Sequence, residues 1–335
     1  MDAIAHARLL QQTRALRASD RRAWTGVLVE TLLVGAGIFL SLHSWGTWIL
    51  GQLLLFVCVW RAFAILHSCA HNAFFQTRSL NRVFGWVFSL WAFVPFDGWK
   101  KSHLEHHKWT GTPERDPSLQ LPKAEELSPG FLRFLDWAWR LHIPIFSVLF
   151  TLSKLSQKKR TRGCARPDSA VPAAPRDGSA IFWLLMHLAA LFLLGLAYLK
   201  LLLVPFMLYL FTSDFLVISQ HNGVSAERGL PAPATLVPSK RPEAFALREH
   251  DLFTRTLRFP RWVSAGVFLY FDKHTLHHFA PFIPHYCMPE ACSAPDAAMI
   301  NEVPWYHWVK ENHRRLGREV YLELLVELPP MRRTL

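Results

Sequence analysis

Three histidine clusters are the residues of this chain best suited to chemistry. His67 and His71 form H-x-x-x-H, His103, His106 and His107 form H-x-x-H-H, and His274, His277 and His278 repeat H-x-x-H-H. On a helix, positions i, i+3 and i+4 share one face, so each cluster can aim two or three imidazoles at one point. Neutral imidazole is a ligand for iron, copper, zinc or nickel. Eight such residues exceed the needs of one metal ion and suit two. With 17 histidines in the chain, one doublet could arise by chance. Two copies of one spacing plus a third cluster, all beside apolar segments, are not explained that way. A ninth histidine, His221 in SQHNG, follows an apolar run as His67 does. Alone it would read as a helix-end histidine on terminal carbonyls; beside the clusters it reads as a further ligand.

The elements that must position these residues are membrane helices. Residues 25–42 and 46–66 are long apolar runs with a very short link, and residues 180–199 and 201–219 form a second pair broken only by Lys200. Each is close to the ~20 residues that span a bilayer, and each nearly lacks a polar face. Shorter apolar runs at 83–96, 143–152 and 262–271 read as interfacial or re-entrant segments. Residues 1–24 carry five arginines and no apolar stretch of the signal-peptide kind. Five scattered cysteines without CxxC pairs argue against a disulfide framework and against thiolate metal sites.

The net charge of +12 would suit nucleic acid in a soluble chain. Here the positive-inside rule accounts for it. Basic residues fill the N-terminal segment, residues 154–166 and the C-terminal third, whereas the first hairpin link has none and the second only Lys200. The expectation is an all-α integral membrane protein forming a single membrane-embedded domain over residues 1–335. It has four transmembrane helices in two hairpins and a cytoplasmic helical cap, residues 67–179 and 220–335, which carries all three clusters. The expected location is a bacterial inner membrane, multi-pass, with the active site facing the cytoplasm and no nucleic-acid partner. Residues 160–180, rich in Pro, Ala and Arg, read as an exposed loop.

These residues resemble the membrane fatty acid desaturase and hydroxylase superfamily. Pro95, Phe96, Trp99 and Lys100 match its lead-in to the second box. Asp116-Pro117 is similar to an acidic-proline pair that follows that box, and Pro281, Pro284, Tyr286 and Pro289 match the pattern after the third. The resemblance implies a non-haem diiron site using dioxygen. Its metal ligands would be His67, His71, His103, His106, His107, His274, His277 and His278, with His221 as the ninth. The third box begins with His274 instead of the glutamine of front-end desaturases. No HPGG segment of a fused cytochrome b5 is present, so the resemblance implies a separate electron donor of the ferredoxin or cytochrome b5 type with its reductase. The first box, HSCAH, places Ser68 and Cys69 where an acidic or small residue is common.

The implied function is an O2-dependent diiron oxidoreductase that desaturates a fatty acyl chain or related long apolar substrate. A diiron hydroxylase or monooxygenase of a lipid differs only in the fate of the substrate radical. A membrane metal-binding or transport protein is disfavoured, because transporters set ligands near the bilayer midplane and these clusters flank the spans. Asp97, Glu105, Asp116 and Asp272 are candidates to orient the imidazoles or solvated charges. Arg61, His187 and Asp214 lie inside apolar runs, where ionisable groups are costly. His142, His250, His285, His307 and His313 lack cluster spacing and read as surface or structural. Trp86, Trp91 and Trp99 are interfacial aromatics or lining for an apolar tunnel.

Overall fold

The computed structural model describes residues 2–110, 116–118, 126–149, 178–221, 253–300 and 302–324. These are mostly helical. Helix α1 is Asp2–Arg14, α2 Asp20–His43, α3 Trp45–Ala70, α4 Arg78–Ala92, α5 Phe96–Trp109 and α6 Pro129–Arg140; α7 is Gly178–Leu194 and α8 Leu196–His221. Short helices α9 (Arg261–Gly266), α10 (His274–Phe279) and α11 (Met288–Cys292) follow, then α12 (Trp305–His313) and α13 (Gly317–Leu324). Strand β1 (Thr256–Arg258) pairs in parallel with β2 (Glu302–Pro304).

Helices α2, α3 and α8 are long and apolar enough to cross a membrane. Helix α2 starts at Asp20, five residues ahead of the expected span, because Ser19 caps it through the Arg22 backbone N–H. The link to α3 is the single residue Ser44, whose hydroxyl accepts from the Thr47 N–H at 3.3 Å. In the second pair the break falls at Gly195 and not at Lys200. Gly195 has φ +53°, a left-handed conformation that glycine adopts without a Cβ clash. Helix α7 is therefore 17 residues long, shorter than the other three. Lys200 instead lies within α8 and sets its ammonium over the Trp45 ring.

Helix α3 is the axis, packing against α2, α4 and α8. Its second half is buried almost all round, from Cys58 to Ala70. Close approach to α2 depends on two glycines. A Cβ on Gly51 would lie 2.5 Å from the Ser41 backbone nitrogen and 2.9 Å from the Gly37 carbonyl oxygen. The next residue, Gln52, donates to Ser41 Oγ at 2.9 Å.

The ionisable groups inside apolar runs are partnered. Arg61 does not snorkel: its Nε donates to Glu30 of α2 at 2.8 Å and its Nη1 to the Gly266 carbonyl of α9 at 2.8 Å. Asp214 accepts from the backbone nitrogens of Phe146 and Ser147 at 3.2 and 2.6 Å. It thereby caps the helical turn at residues 145–149 and does not face the histidines. His187 bonds the Tyr198 hydroxyl and stacks on Phe93. Of the runs expected at the interface, 83–96 ends α4 and opens α5, with Phe93 left-handed at the turn (φ 55°). The run 262–271 is α9 and a tight turn, and residues 150–152 of the third lie outside the described residues.

The α2–α3 contact gives a direct test. Gly51→Leu should force the hairpin apart and lower the thermal midpoint in detergent, with a cost of about 1–3 kcal/mol for overpacking. Gly35→Leu, where a Cβ meets nothing within 4 Å, should leave the midpoint unchanged. Equal midpoints in the two variants would contradict the close crossing.

Candidate metal centre

Each cluster is delivered by the end of a helix. His67 lies in the last turn of α3 and His71 caps it. The chain then reverses at Asn72 (φ 55°). The Asn81 side chain holds that reversal, accepting from the Phe74 and Phe75 backbone nitrogens at 3.1 and 2.9 Å and donating to the Phe75 carbonyl at 2.8 Å. Pro95 and Phe96 open α5, which carries the second box. His221 is the last residue of α8. The third box occupies α10, entered through Leu269 and Tyr270, both at positive φ (47° and 63°).

The nine histidines expected from the sequence converge into two groups. The ligand atoms of His67, His71, His103, His107 and His277 all lie within 4.8 Å of one another, and so do those of His106, His221 and His278. His274 joins the second group, its Nε2 2.7 Å from Nε2 of His221. In the first group the Nε2 atoms of His71 and His103 are 2.9 Å apart, those of His103 and His107 3.1 Å, and those of His107 and His277 3.0 Å.

Hydrogen bonds on the outer side of the second group assign its tautomers. Nδ1 of His106 donates to Asp116 at 2.9 Å, and Nδ1 of His221 donates to the Phe253 carbonyl at 3.0 Å. Thr110 gives its hydroxyl proton to the His106 carbonyl at 2.7 Å, so its oxygen accepts from Nδ1 of His278 at 3.4 Å. In their neutral forms all three imidazoles then present bare Nε2 lone pairs inward. Those of His106 and His221 stand 3.2 Å apart. Two lone pairs at that distance repel unless a cation lies between them. Nε2 of His278 and of His67 are buried with no hydrogen-bond partner among the described residues.

Electrostatics favour the neutral, ligating form. Burial, with the Lys100 ammonium and His106 adding to it, pulls His71 down to about 3. Burial and neighbouring imidazoles hold His103, His107, His274, His277 and His278 well below the usual histidine range. For Asp116, burial pushes upward, but His106 and the Ser118 N–H and O–H outweigh it and keep the carboxyl below its ordinary value. Asp116 is therefore a carboxylate that fixes the His106 ring. Buried lone pairs, neutral nitrogen donors and outer-side orienting bonds suit a borderline transition-metal ion such as iron.

The other candidates separate cleanly. Glu105 pairs with Lys108 and Asp97 with Arg82, both near the surface. Asp272 accepts from Ser264 at 2.6 Å, pinning the turn ahead of α10 instead of a histidine ring. Trp99 stacks on His103 at 4.6 Å, while Trp86 packs against Phe182 of α7. His250 lies outside the described residues. The orienting groups Thr110, Ser118 and the Phe253 carbonyl carried no sequence signal. His285 is drawn in beside the first group, its Nδ1 3.4 Å from Ser68 Oγ, without joining it.

The profile of the fatty acid desaturase family matches residues 42–309. The chain is 27% identical over 283 residues to an endoplasmic reticulum omega-3 fatty acid desaturase of Vigna radiata var. radiata, covering 82% of this chain and 70% of that protein. It is 29% identical over 266 residues to a chloroplastic sn-2 acyl-lipid omega-3 desaturase (ferredoxin) of Helianthus annuus, covering 76% and 56%. With an endoplasmic reticulum omega-3 desaturase of Nicotiana tabacum it shares 25% over 322 residues, 88% and 78% of the two chains. These relatives are plant proteins of the endoplasmic reticulum or chloroplast, and they lend no support to a bacterial inner membrane. A family match over most of a chain whose histidines converge in this way makes the protein a member of the fatty acid desaturase family, an oxidoreductase that desaturates a fatty acyl chain.

Proposed function

We propose that the nine histidines hold two irons, one in each group, and that the protein uses dioxygen to desaturate an acyl chain held in the membrane. The observation that carries this reading is the set of inward, unpartnered Nε2 atoms, above all that of His278. His67, His71, His103, His107 and His277 bind one iron. His106, His221, His274 and His278 bind the other. When bound, the iron pair supplies dioxygen activation strong enough to remove hydrogen from an unactivated C–H bond, which side chains alone cannot do.

The remaining work falls to the protein. Asp116, Thr110 and the Phe253 carbonyl hold three rings in the ligating tautomer. Phe63, Phe271 and Trp99 pack on His67 and His103, excluding water on the side from which the apolar α3 and α8 approach. Electrons come from a separate protein, of the ferredoxin or cytochrome b5 type with its reductase; the name of the Helianthus annuus relative carries a ferredoxin. The acyl chain of a membrane lipid is the substrate class that the relatives' names favour. Helix α7, 17 residues long, sits at the short end of the spanning range and serves as the fourth span, with Gly195 and Ser44 on one side of the membrane and the histidines on the cytoplasmic side.

Purified protein should hold about two irons per chain and convert labelled acyl lipid to a product with one more double bond, given oxygen, reductase and donor. His278→Ala should drop iron to about one per chain and abolish conversion, with membrane insertion intact. Full iron and full conversion in that variant would sink the assignment.

Asp116→Asn should weaken iron binding about 10–100-fold, the usual scale for losing a group that orients a metal-bound histidine. Titration of metal-free protein with ferrous ion measures it, and an unchanged affinity would reduce Asp116 to a structural carboxylate.

Single cysteines placed at Ser44 and Ser128, both exposed, should label from opposite sides of sealed vesicles. Labelling from one side would rule out the two-hairpin arrangement.

A further inference from the structure

A small half-enclosed cleft lies against the five-histidine group, lined in part by His67 and His277. His67 and His277 form its floor. Ala64, Leu269, Ile283 and Met288 supply apolar walls, and Ser68 and His285 a polar one. Only about 20 Å³ of this space is enclosed, room for about one water-sized molecule and far too little for a long acyl chain. It suits small molecules.

The walls are held rigidly. His285 is fixed on both sides, stacked on Phe74 with ring centroids 5.4 Å apart and bonded to Ser68 at 3.4 Å. Ser68 Oγ in turn donates to the Ala64 carbonyl at 3.1 Å. Opposite, Leu269 and Tyr270 take consecutive left-handed conformations, which cost non-glycine residues energy and persist only where surroundings impose them. The Tyr270 N–H bonds the Ser264 carbonyl at 2.8 Å, the Lys273 N–H bonds the Tyr270 carbonyl at 3.0 Å, and Arg61 grips the Gly266 carbonyl. The strained turn keeps Leu269 over the cleft where a relaxed turn would not.

We propose that this cleft is the dioxygen port of the site: a partly apolar passage that brings a diatomic gas to the iron held by His67 and His277. The proposal rests on the two-iron reading above. It assigns to Ser68 and His285 the role of holding the passage open.

Two measurements test it. Nitric oxide, a diatomic stand-in for dioxygen, can be followed optically as it binds the reduced, iron-loaded full chain. Filling the cleft with Ala64→Leu and separately with Ile283→Phe should slow association about tenfold while iron content stays at the wild-type level. Unchanged association in an iron-replete variant of either kind would overturn the port. The second measurement needs no metal. Crystals of the metal-free full chain pressurised with xenon should show a xenon atom among Leu269, Ile283 and Met288; a cleft holding water only would also overturn the proposal. If wild-type protein fails to bind iron, the two-iron reading falls, and the xenon experiment still decides whether the cleft takes an apolar gas.

Discussion

The rest of the structure depends on holding nine imidazoles with their inner nitrogens at hydrogen-bond distance, although not all of those contacts can be hydrogen bonds. Bringing two Nε2 lone pairs to 3.2 Å, as in His106 and His221, is unfavourable in a buried site where the low dielectric magnifies repulsion. The arrangement persists because the outer nitrogens are bonded to Asp116, Phe253 and Thr110 and because the backbones carrying the rings are fixed. A buried donor set of this kind is a reservoir of unfavourable energy that a cation releases, so metal binding and local stability are linked. The tautomer-fixing groups therefore matter as much as the ligands. Without them a ring can turn, protonate its inner nitrogen and satisfy a neighbour by an ordinary hydrogen bond.

Fixing the backbones is the task of the polar contacts buried among the apolar helices. Arg61 joins α2, α3 and α9 through Glu30 and the Gly266 carbonyl. It sits six residues before His67, and Gly266 lies eight before His274. Asp214 joins α8 to the turn at residues 145–149, seven residues ahead of His221. A buried ion pair adds little net stability against an apolar alternative, but it is directional. In this fold the pair sets the register of a helix bundle whose apolar surfaces alone would slide in lipid. The one-residue link at Ser44 and the Gly51 crossing remove further freedom from α3, the helix that delivers the first box.

Much of this was legible in the sequence, and the failures have physical causes. The three boxes were readable from spacing alone, and His221 from its place after an apolar run. Asp116 was visible as a candidate but not separable from Asp272, since both are carboxylates near boxes. Only tertiary packing gives one a histidine and the other a serine. The Phe253 carbonyl was unreadable because a backbone acceptor has no residue identity. Span limits erred where local chemistry outweighed hydropathy. Lys200 looked like a break because it is charged, yet its ammonium rests on Trp45, and the helix breaks at Gly195, where backbone freedom exists. Arg61 stood out only as a costly charge inside an apolar run because its partner Glu30 is 31 positions away.

The spacing H-x-x-H-H itself carries the division into two groups. Successive helical residues are about 100° apart and positions i and i+4 about 40° apart. Adjacent histidines therefore cannot face the same point, but the first and last of the motif can. In α5 the i, i+4 pair His103 and His107 turns to the first group, and the odd member His106 to the second. In α10 the pair His274 and His278 turns to the second group, and the odd member His277 to the first. The two boxes are thus used in opposite senses, each giving two rings to one group and one to the other. His67 and His71, again i and i+4, complete the first group from α3, and His221 completes the second from α8. Three helix ends and one short helix serve two neighbouring groups of imidazoles because a doublet on a helix is a divergent element. A single-ion site would have no use for it.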